Sequence, residues 1–146
     1  MKSRADNATD RFKEGFNCAQ AVFAAYSPLL GIRDDDALRI STGFGAGMGR
    51  QQEVCGAVTG AFMVIGSRHG MTDVKDTTAK EATYARVKDF TRRFCQLHGS
   101  ISCRELLGCD LNTEEGKKNY HEKKLSATVC LPCVLDACKI LEEFSL

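Results

Sequence analysis

Alternating glycines in the middle of the chain constrain its fold more than any other feature. Glycine occupies every second position from residue 43 to residue 49. Each glycine costs a helix about 1 kcal/mol relative to alanine, so this segment predicts a tight loop. Apolar residues at helical spacing follow it, before glycines at positions 66 and 70: Val54, Ala57, Val58, Ala61, Phe62 and Ile65. A helix that begins here places Cys55 in or near its first turn.

A cysteine at the start of a helix has distinctive chemistry. Unpaired backbone N–H groups and the positive end of the helix dipole stabilise a thiolate there. Cys55 is therefore a candidate nucleophile or metal ligand. The alternative is a small core residue in a close helix crossing, because Gly56 and Gly60 lie one turn apart. That small-residue face suits packing within the chain or a homodimer contact.

Composition excludes several classes of protein. The 146 residues suit one domain, residues 1–146, and the net charge of +1 comes from interspersed acidic and basic residues. This balance does not indicate a nucleic-acid-binding or membrane-surface protein, and no apolar run is long enough to span a bilayer. The first seven residues lack the apolar segment of a secretory signal, so we expect a cytoplasmic protein. Eight cysteines in such a chain indicate metal binding or redox chemistry in preference to structural disulfides.

A second group of cysteines belongs to the two ends of the chain. Residues 4–30 carry one apolar stripe at helical spacing and predict a single first helix, with Cys18 at the flank of the stripe. In the last segment, Pro132 is tolerable only in the first turn of a helix, so Cys130 is predicted at a helix start. Cys133 follows one turn later on the same face, as a C-x2-C pair.

The capping pattern Ser102-Cys103-Arg104-Glu105 predicts a short helix with Cys103 at its first position. Cys109 follows the glycine that ends this helix and lies in a turn. Cys55, Cys103 and Cys130 thus each open a predicted helix.

The remaining helices are predicted from apolar periodicity and from helix-capping residues. An acidic first turn at residues 34–36 predicts a short helix, and Thr72 or Asp73 is the predicted N-cap of a long one that ends before Gly99. His69 and His98 are expected to cap carbonyl groups at helix ends. The core stripe of the long helix is predicted to comprise Tyr84, Val87, Phe90, Phe94 and Leu97. No strand pattern appears, so the sequence predicts an all-α bundle of about five to seven helices with a glycine-rich loop.

Three classes of function fit these cysteines. If Cys18, Cys55, Cys103 and Cys130 converge, they can hold an iron–sulfur cluster or a zinc ion, with Cys109 and Cys133 as further candidate ligands. The same thiols can instead form redox-active pairs without metal. In that case Cys55 or Cys103 attacks and Cys130 or Cys109 resolves the mixed disulfide. The third class is a structural or partner-binding helical module with inert cysteines.

Four separated motifs resemble those of the C-GCAxxG-C-C family of redox-active proteins. They are residues 17–22 around Cys18, residues 53–61 around Cys55, residues 102–108 around Cys103, and Cys130 with Val134 and Ala137. The central motif reads Cys-Gly-Ala here, where the family name has Gly-Cys-Ala. The resemblance implies a small redox or electron-transfer protein with an iron–sulfur cluster, and it maps the family cysteines onto these four positions. A redox partner protein is expected, but the sequence does not identify it. The chain has no C-x-x-C-H sequence, so covalent haem attachment is not expected.

Overall fold

The computed structural model describes residues 1–146 and is all-helical, with a single isolated β-bridge between Val54 and Ser102. The all-α expectation is confirmed, although there are eight helices where five to seven were expected. They are α1 (Arg4–Glu14), α2 (Cys18–Leu30), α3 (Asp34–Ser41), α4 (Gly56–His69), α5 (Thr77–His98), α6 (Cys103–Leu107), α7 (Glu114–Glu122) and α8 (Leu131–Glu142). Irregular turns occupy Thr42–Phe44 and Gly45–Met48, and a π-helical turn, Ser126–Cys130, leads into α8.

Helix α2 lies at the centre of the fold. It packs against α1, α3, α4 and α8, and every residue from 21 to 27 is buried. Its Tyr26 hydroxyl lies 3.0 Å from the carboxylate of Glu142 and 3.2 Å from the carbonyl oxygen of Cys138, which ties α2 to the last helix. A buried hydroxyl needs such a partner, because an unpaired one costs about 1–3 kcal/mol. These bonds hold the second half of α2 against α8.

Helix α5 contributes aromatic residues to the other side of the core. Phe90 stacks on Phe94 at a centroid distance of 6.0 Å and meets Phe62 of α4 edge-on at 5.9 Å. The predicted stripe was wrong at its two ends, because Tyr84 and Leu97 are 55% and 61% exposed. Apolar periodicity alone therefore overestimated how much of this stripe is buried.

The start of α5 also differs from the prediction. The N-cap is Asp76, whose carboxylate accepts a hydrogen bond from the Ala79 N–H at 3.0 Å, and not Thr72 or Asp73. All three residues have side chains suited to capping, so composition could not choose among them. None of the helices combines the length and apolarity that crossing a bilayer requires.

Candidate functional site

Five cysteines line one cavity of about 280 Å3. They come from the start of α2, the start of α4, the start of α6 and the π-helical turn with the first turn of α8, and they are Cys18, Cys55, Cys103, Cys130 and Cys133. The rest of the wall is mostly apolar, with Phe16, Leu106 and Val129 among its residues. The structure therefore brings the four cysteines of the predicted site together, and it adds Cys133. We call this space the thiol cavity.

Cys18 is the first residue of α2, which corrects the prediction of one helix over residues 4–30. Helix α1 ends at Gly15, which has φ of 119°, and α2 begins after its N-cap Asn17. Asn17 accepts a hydrogen bond from the Gln20 N–H at 2.9 Å, and Gln20 accepts one from the Asn17 N–H at 3.0 Å. This reciprocal cap sets the position of Cys18. The apolar period continued across the break and concealed it, although the Asn17-x-x-Gln20 signature was present in the sequence.

Cys55 is the N-cap of α4, as predicted, and lies beside the start of α2. A Cβ at Gly56 would stand 2.9 Å from the Ala19 nitrogen and 3.1 Å from the Cys18 Cβ, so only glycine permits this approach. The small-residue face of α4 is thus occupied by packing within the chain. The neighbouring Cys133, together with the first-turn N–H groups of Ala57 and Val58, lowers the pKa of the Cys55 thiol.

Cys103 is held next to Cys55 by a short stretch of paired backbone. The Cys55 N–H donates to the Ile101 carbonyl at 2.7 Å, and the Cys103 N–H donates to the Glu53 carbonyl at 2.7 Å. Ser102 caps α6 as predicted, accepting from the Glu105 N–H at 3.2 Å. Burial, followed by the nearby charge of Cys55, raises the pKa of the Cys103 thiol to about 12. Of these two neighbouring thiols at helix starts, Cys55 therefore has a lowered pKa and Cys103 a raised one.

The glycine-rich segment forms a left-handed turn against the cavity. Five consecutive residues, 46–50, have φ between 53° and 68°. The turn closes with a hydrogen bond from the Gly49 N–H to the Gly45 carbonyl at 2.8 Å. Left-handed geometry costs each non-glycine residue about 1–2 kcal/mol. A Cβ at Gly47 would stand 2.7 Å from the Cys103 Cβ, so this turn forms a close backbone wall beside that cysteine.

Gln52 anchors the turn to the segment after α6, and sequence reasoning missed it. Its side chain is buried, donates to the Cys109 carbonyl at 2.8 Å and accepts from the Leu111 N–H at 2.7 Å. Cys109 itself packs in a small cluster with Leu107 and does not line the cavity. Cys103 belongs to the same small cluster, so Cys109, one of the two additional candidate ligands, lies behind the cavity wall at Cys103.

Cys130 is the N-cap of α8, at a helix start as predicted, although it is also the last residue of the π-helical turn before that helix. Helical backbone is already established at Leu125, and the Ser126–Cys130 turn runs directly into α8. Pro132 is accommodated near the start of α8, as expected. Contact with Cys18 lowers the pKa of the Cys130 thiol, and the Tyr120 hydroxyl acts in the same direction. Conversely, contact with Cys130 raises the pKa of Cys18.

Cys133 connects the cavity to a histidine and an aspartate. Its sulfur lies 3.8 Å from Nδ1 of His98, and Nε2 of His98 lies 2.9 Å from a carboxylate oxygen of Asp136. His98 therefore packs between side chains and does not cap carbonyls as the sequence suggested. Contact with Cys55, then burial, raises the pKa of the Cys133 thiol. The C-x2-C spacing had pointed to Cys133, but no sequence signal linked it to His98.

The cavity offers one kind of donor, the cysteine thiol. All eight cysteines are free thiols, and five of them face the cavity. No three His, Cys, Asp or Glu side chains converge closely enough to hold a single metal ion. A tetrahedral zinc ion needs four ligands around one point, whereas an iron–sulfur cluster places its own iron and sulfide between its cysteines. Soft thiols around an apolar cavity are donors of the kind that both groups take.

Fold and site together define an all-helical protein whose thiols converge on one partly buried cavity. The model of the family described as "Putative redox-active protein (C_GCAxxG_C_C)" matches residues 16–144. The match covers nearly the whole chain and all four of its motif cysteines. The chain belongs to the C-GCAxxG-C-C family. No match to it was found among curated proteins or among solved structures.

Proposed function

We propose that the thiol cavity is an electron-transfer centre that holds an iron–sulfur cluster through Cys18, Cys55, Cys103 and Cys130. The observation that carries the proposal is that these four motif cysteines, from four separate parts of the chain, line one cavity. The second supporting feature is the chemistry of the wall, which is mostly apolar and supplies the soft sulfur ligands that such clusters take. A bound cluster supplies a one-electron couple.

The protein's own groups prepare this site for negatively charged sulfur. The first-turn N–H groups of Ala57 and Val58 lower the pKa of Cys55, and the Tyr120 hydroxyl lowers that of Cys130. Hydrogen bonds to ligand sulfurs and an apolar surround are the means by which a protein sets a cluster's potential. The left-handed turn and Gln52 fix the wall beside Cys103, so that the ligands are positioned before any cluster enters.

Iron, acid-labile sulfide and the visible absorption spectrum test the proposal. The protein is purified without oxygen from a host able to build clusters, with single serine replacements of each of the four cysteines. We expect iron and sulfide in the wild type and their loss in all four variants. Cys95→Ser is the control, because Cys95 is half-buried on α5 and does not line the cavity. Colourless wild-type protein without iron would overturn the proposal.

Cys55 and Cys133 line the same cavity and shift each other's pKa, which favours a second candidate, a thiol–disulfide enzyme. The Cys55 thiolate attacks a substrate disulfide and releases one thiolate. The Cys133 thiol then loses its proton and attacks the Cys55 sulfur, which forms an internal disulfide and releases the second substrate thiolate. The neighbour of Cys55 is thus Cys133, where the sequence suggested Cys130 or Cys109 as the resolving residue. Oxidised glutathione would then remove two free thiols per chain, which peptide mapping would assign to Cys55 and Cys133.

A further inference from the structure

Phe16 lies between two open spaces of the structure. One is the thiol cavity, and the other is a cleft of about 380 Å3 between α1 and the start of α3. Phe16 is the only residue that lines both of them. We call the second space the charged cleft, because five of its seven lining residues are charged: Lys2, Asp10, Arg11, Glu14 and Asp34.

The two spaces on either side of Phe16 have different chemistry. No charged side chain lines the thiol cavity. In the charged cleft, Lys2 pairs with Asp10 at 2.6 Å, and this lysine side chain is 74% exposed. Arg11 pairs with Asp34 at 2.7 Å. Charged groups stay hydrated, because burying them is costly. Phe16 therefore separates a hydrated space from a mostly apolar one.

The Phe16 side chain is loosely held for an aromatic residue. It is partly buried, yet it belongs to neither hydrophobic cluster of the protein and is not among the residues packed against them. Phe12, one turn earlier, is also partly buried, but it packs against the main core. A ring with open space on two sides loses few packing contacts when it changes rotamer. The Phe16 ring can therefore turn into either space.

The backbone around Phe16 is fixed, which confines this movement to the side chain. The Phe16 N–H donates to the Arg11 carbonyl at 3.2 Å, and the next residue, Asn17, caps α2. Gly15 precedes it without a side chain, and nothing lies within 4 Å of the position that a Cβ would take there. The neighbour before Phe16 thus leaves room for the ring.

We infer that Phe16 is a gate that controls the passage of small molecules from the charged cleft to the thiols of the cavity. In the position seen here the ring separates the two spaces. When it turns, molecules in the cleft reach Cys18, which lies two residues further along the chain at the start of α2. The gate selects by size, because a larger molecule needs a larger displacement of the ring. It acts on entry to the cavity, for a cluster site and a dithiol site alike.

Cysteine labelling in reduced, metal-free protein tests the gate. Iodoacetamide is the small reagent and fluorescein maleimide the large one, and peptide mass spectrometry follows each cysteine separately. Cys18 reports on the cavity. Cys95, which is partly buried outside it, corrects for differences in reagent reactivity. Cys138 is fully buried outside the cavity, so its labelling reports on unfolding.

Phe16→Ala should open the gate. A partly buried ring contributes about half of the burial free energy of a fully buried one, so we expect Cys18 to react about tenfold faster with the maleimide. The gain with iodoacetamide should be smaller, because that reagent needs a smaller opening. Phe16→Leu should give an intermediate rate and serves if the alanine variant does not fold. Unchanged Cys18 labelling in the folded variants, or equal gains for both reagents, would overturn the inference.

Phe12→Ala is the matched control. Phe12 also lines the thiol cavity, but it packs against the main core and does not line the charged cleft. We expect it to lower the unfolding free energy, measured with urea, more than Phe16→Ala does. Labelling of Cys18 and Cys138 should then rise together. A rise confined to Cys18 and as large as that in Phe16→Ala would contradict the gate, since any hole in the wall would suffice.

Tyr120→Ala tests an entrance on the other side of the cavity. Tyr120 lines the cavity from α7 and is partly buried, but it does not line the charged cleft. We expect it to accelerate labelling of Cys18 less than Phe16→Ala does. A larger acceleration would place the entrance at α7 and overturn the gate. All of these measurements use metal-free protein, so a failure to find iron in the wild type would overturn the proposed cluster and leave this test intact.

Discussion

Gly60 of α4 lies directly against the backbone of Ala19 in α2, where a Cβ would stand only 2.9 Å from the Ala19 carbonyl oxygen. Together with Gly56 one turn earlier, it allows the two helices to cross closely. This crossing brings the start of α2 beside the start of α4. Cys18 and Cys55 therefore lie close together because Gly56 and Gly60 have no side chains.

Gly60→Val should disrupt this crossing. Adding bulk to a filled interface typically costs about 1–3 kcal/mol, and the atom in the way here is backbone, which cannot move aside. We expect a loss of about 2 kcal/mol or more in the free energy of unfolding, measured with urea. Gly66→Ala is the control on the same helix, since nothing lies within 4 Å of a Cβ there. It should be neutral or stabilising by up to about 1 kcal/mol. Equal effects of the two substitutions would contradict the close-crossing account.

The left-handed turn predicts opposite effects at adjacent positions. Arg50 has φ of 66°, and its side chain is exposed, so Arg50→Gly should relieve strain and raise the unfolding free energy by about 0.5–1 kcal/mol. Gly49 has φ of 65°, so Gly49→Ala should lower it by about 1 kcal/mol. Thermal unfolding of the two variants checks both signs. The account fails if the two shifts have the same sign.

Cys55 and Cys103 should differ in their reaction with iodoacetamide. Both are 7% exposed and face the same cavity, so access is matched. Contact with Cys133 and the helix N–H groups lowers the pKa of Cys55, whereas burial raises that of Cys103 to about 12. In reduced, metal-free protein, alkylation of Cys55 should therefore rise at a lower pH than alkylation of Cys103, as followed by peptide mass spectrometry. Cys55→Ser should lower the pKa of Cys103, because the charge of Cys55 contributes to raising it. A reversed order of the two alkylation profiles would be incompatible with these environments.

Cys138 should make the fold sensitive to alkaline pH. It is fully buried outside the thiol cavity, and burial, with a contribution from Glu142, raises the pKa of its thiol from about 9 to about 12. Between these values the unfolded chain has lost the proton and the folded chain has kept it. The free energy of unfolding therefore does not depend on Cys138 below pH 9. It falls by about 1.4 kcal/mol per pH unit between pH 9 and pH 12. The unfolding free energy of Cys138→Ala, measured with urea, should fall less steeply with pH over this range than that of the wild type. Cys95→Ala, at a half-buried position, should match the wild type.

Local signals in the sequence predicted local structure well. Caps and stops such as Ser102 and Gly99 act through neighbouring backbone groups, so they identify helix ends without tertiary information. The assignment of residues 4–30 to one helix failed because apolar period reports which face is buried and does not report continuity of the backbone. The π-helical turn before Cys130 was equally invisible, since five ordinary residues there carry no pattern that differs from an α-helix.

Convergence of the thiols was hypothesised from the motifs, but its cause lies in packing that the sequence does not display. Cys18 reaches Cys55 because Gly60 and Gly56 admit another helix, and the partner helix could not be named from the glycines alone. The contact of His98 with Asp136 joins residues 38 positions apart, and nothing in the sequence around either one distinguishes it from a surface residue.

The π-helical turn Ser126–Cys130 has a consequence for chain length. A π turn holds one more residue than an α turn, so this segment stores a surplus residue between α7 and the part of α8 that carries Cys133 and Asp136. A chain with one residue fewer here could close the turn as regular α-helix and keep the later positions in phase. We expect insertions and deletions in the family to be tolerated at this point. We expect none in the glycine-rich turn, where five consecutive left-handed residues form the close wall beside Cys103.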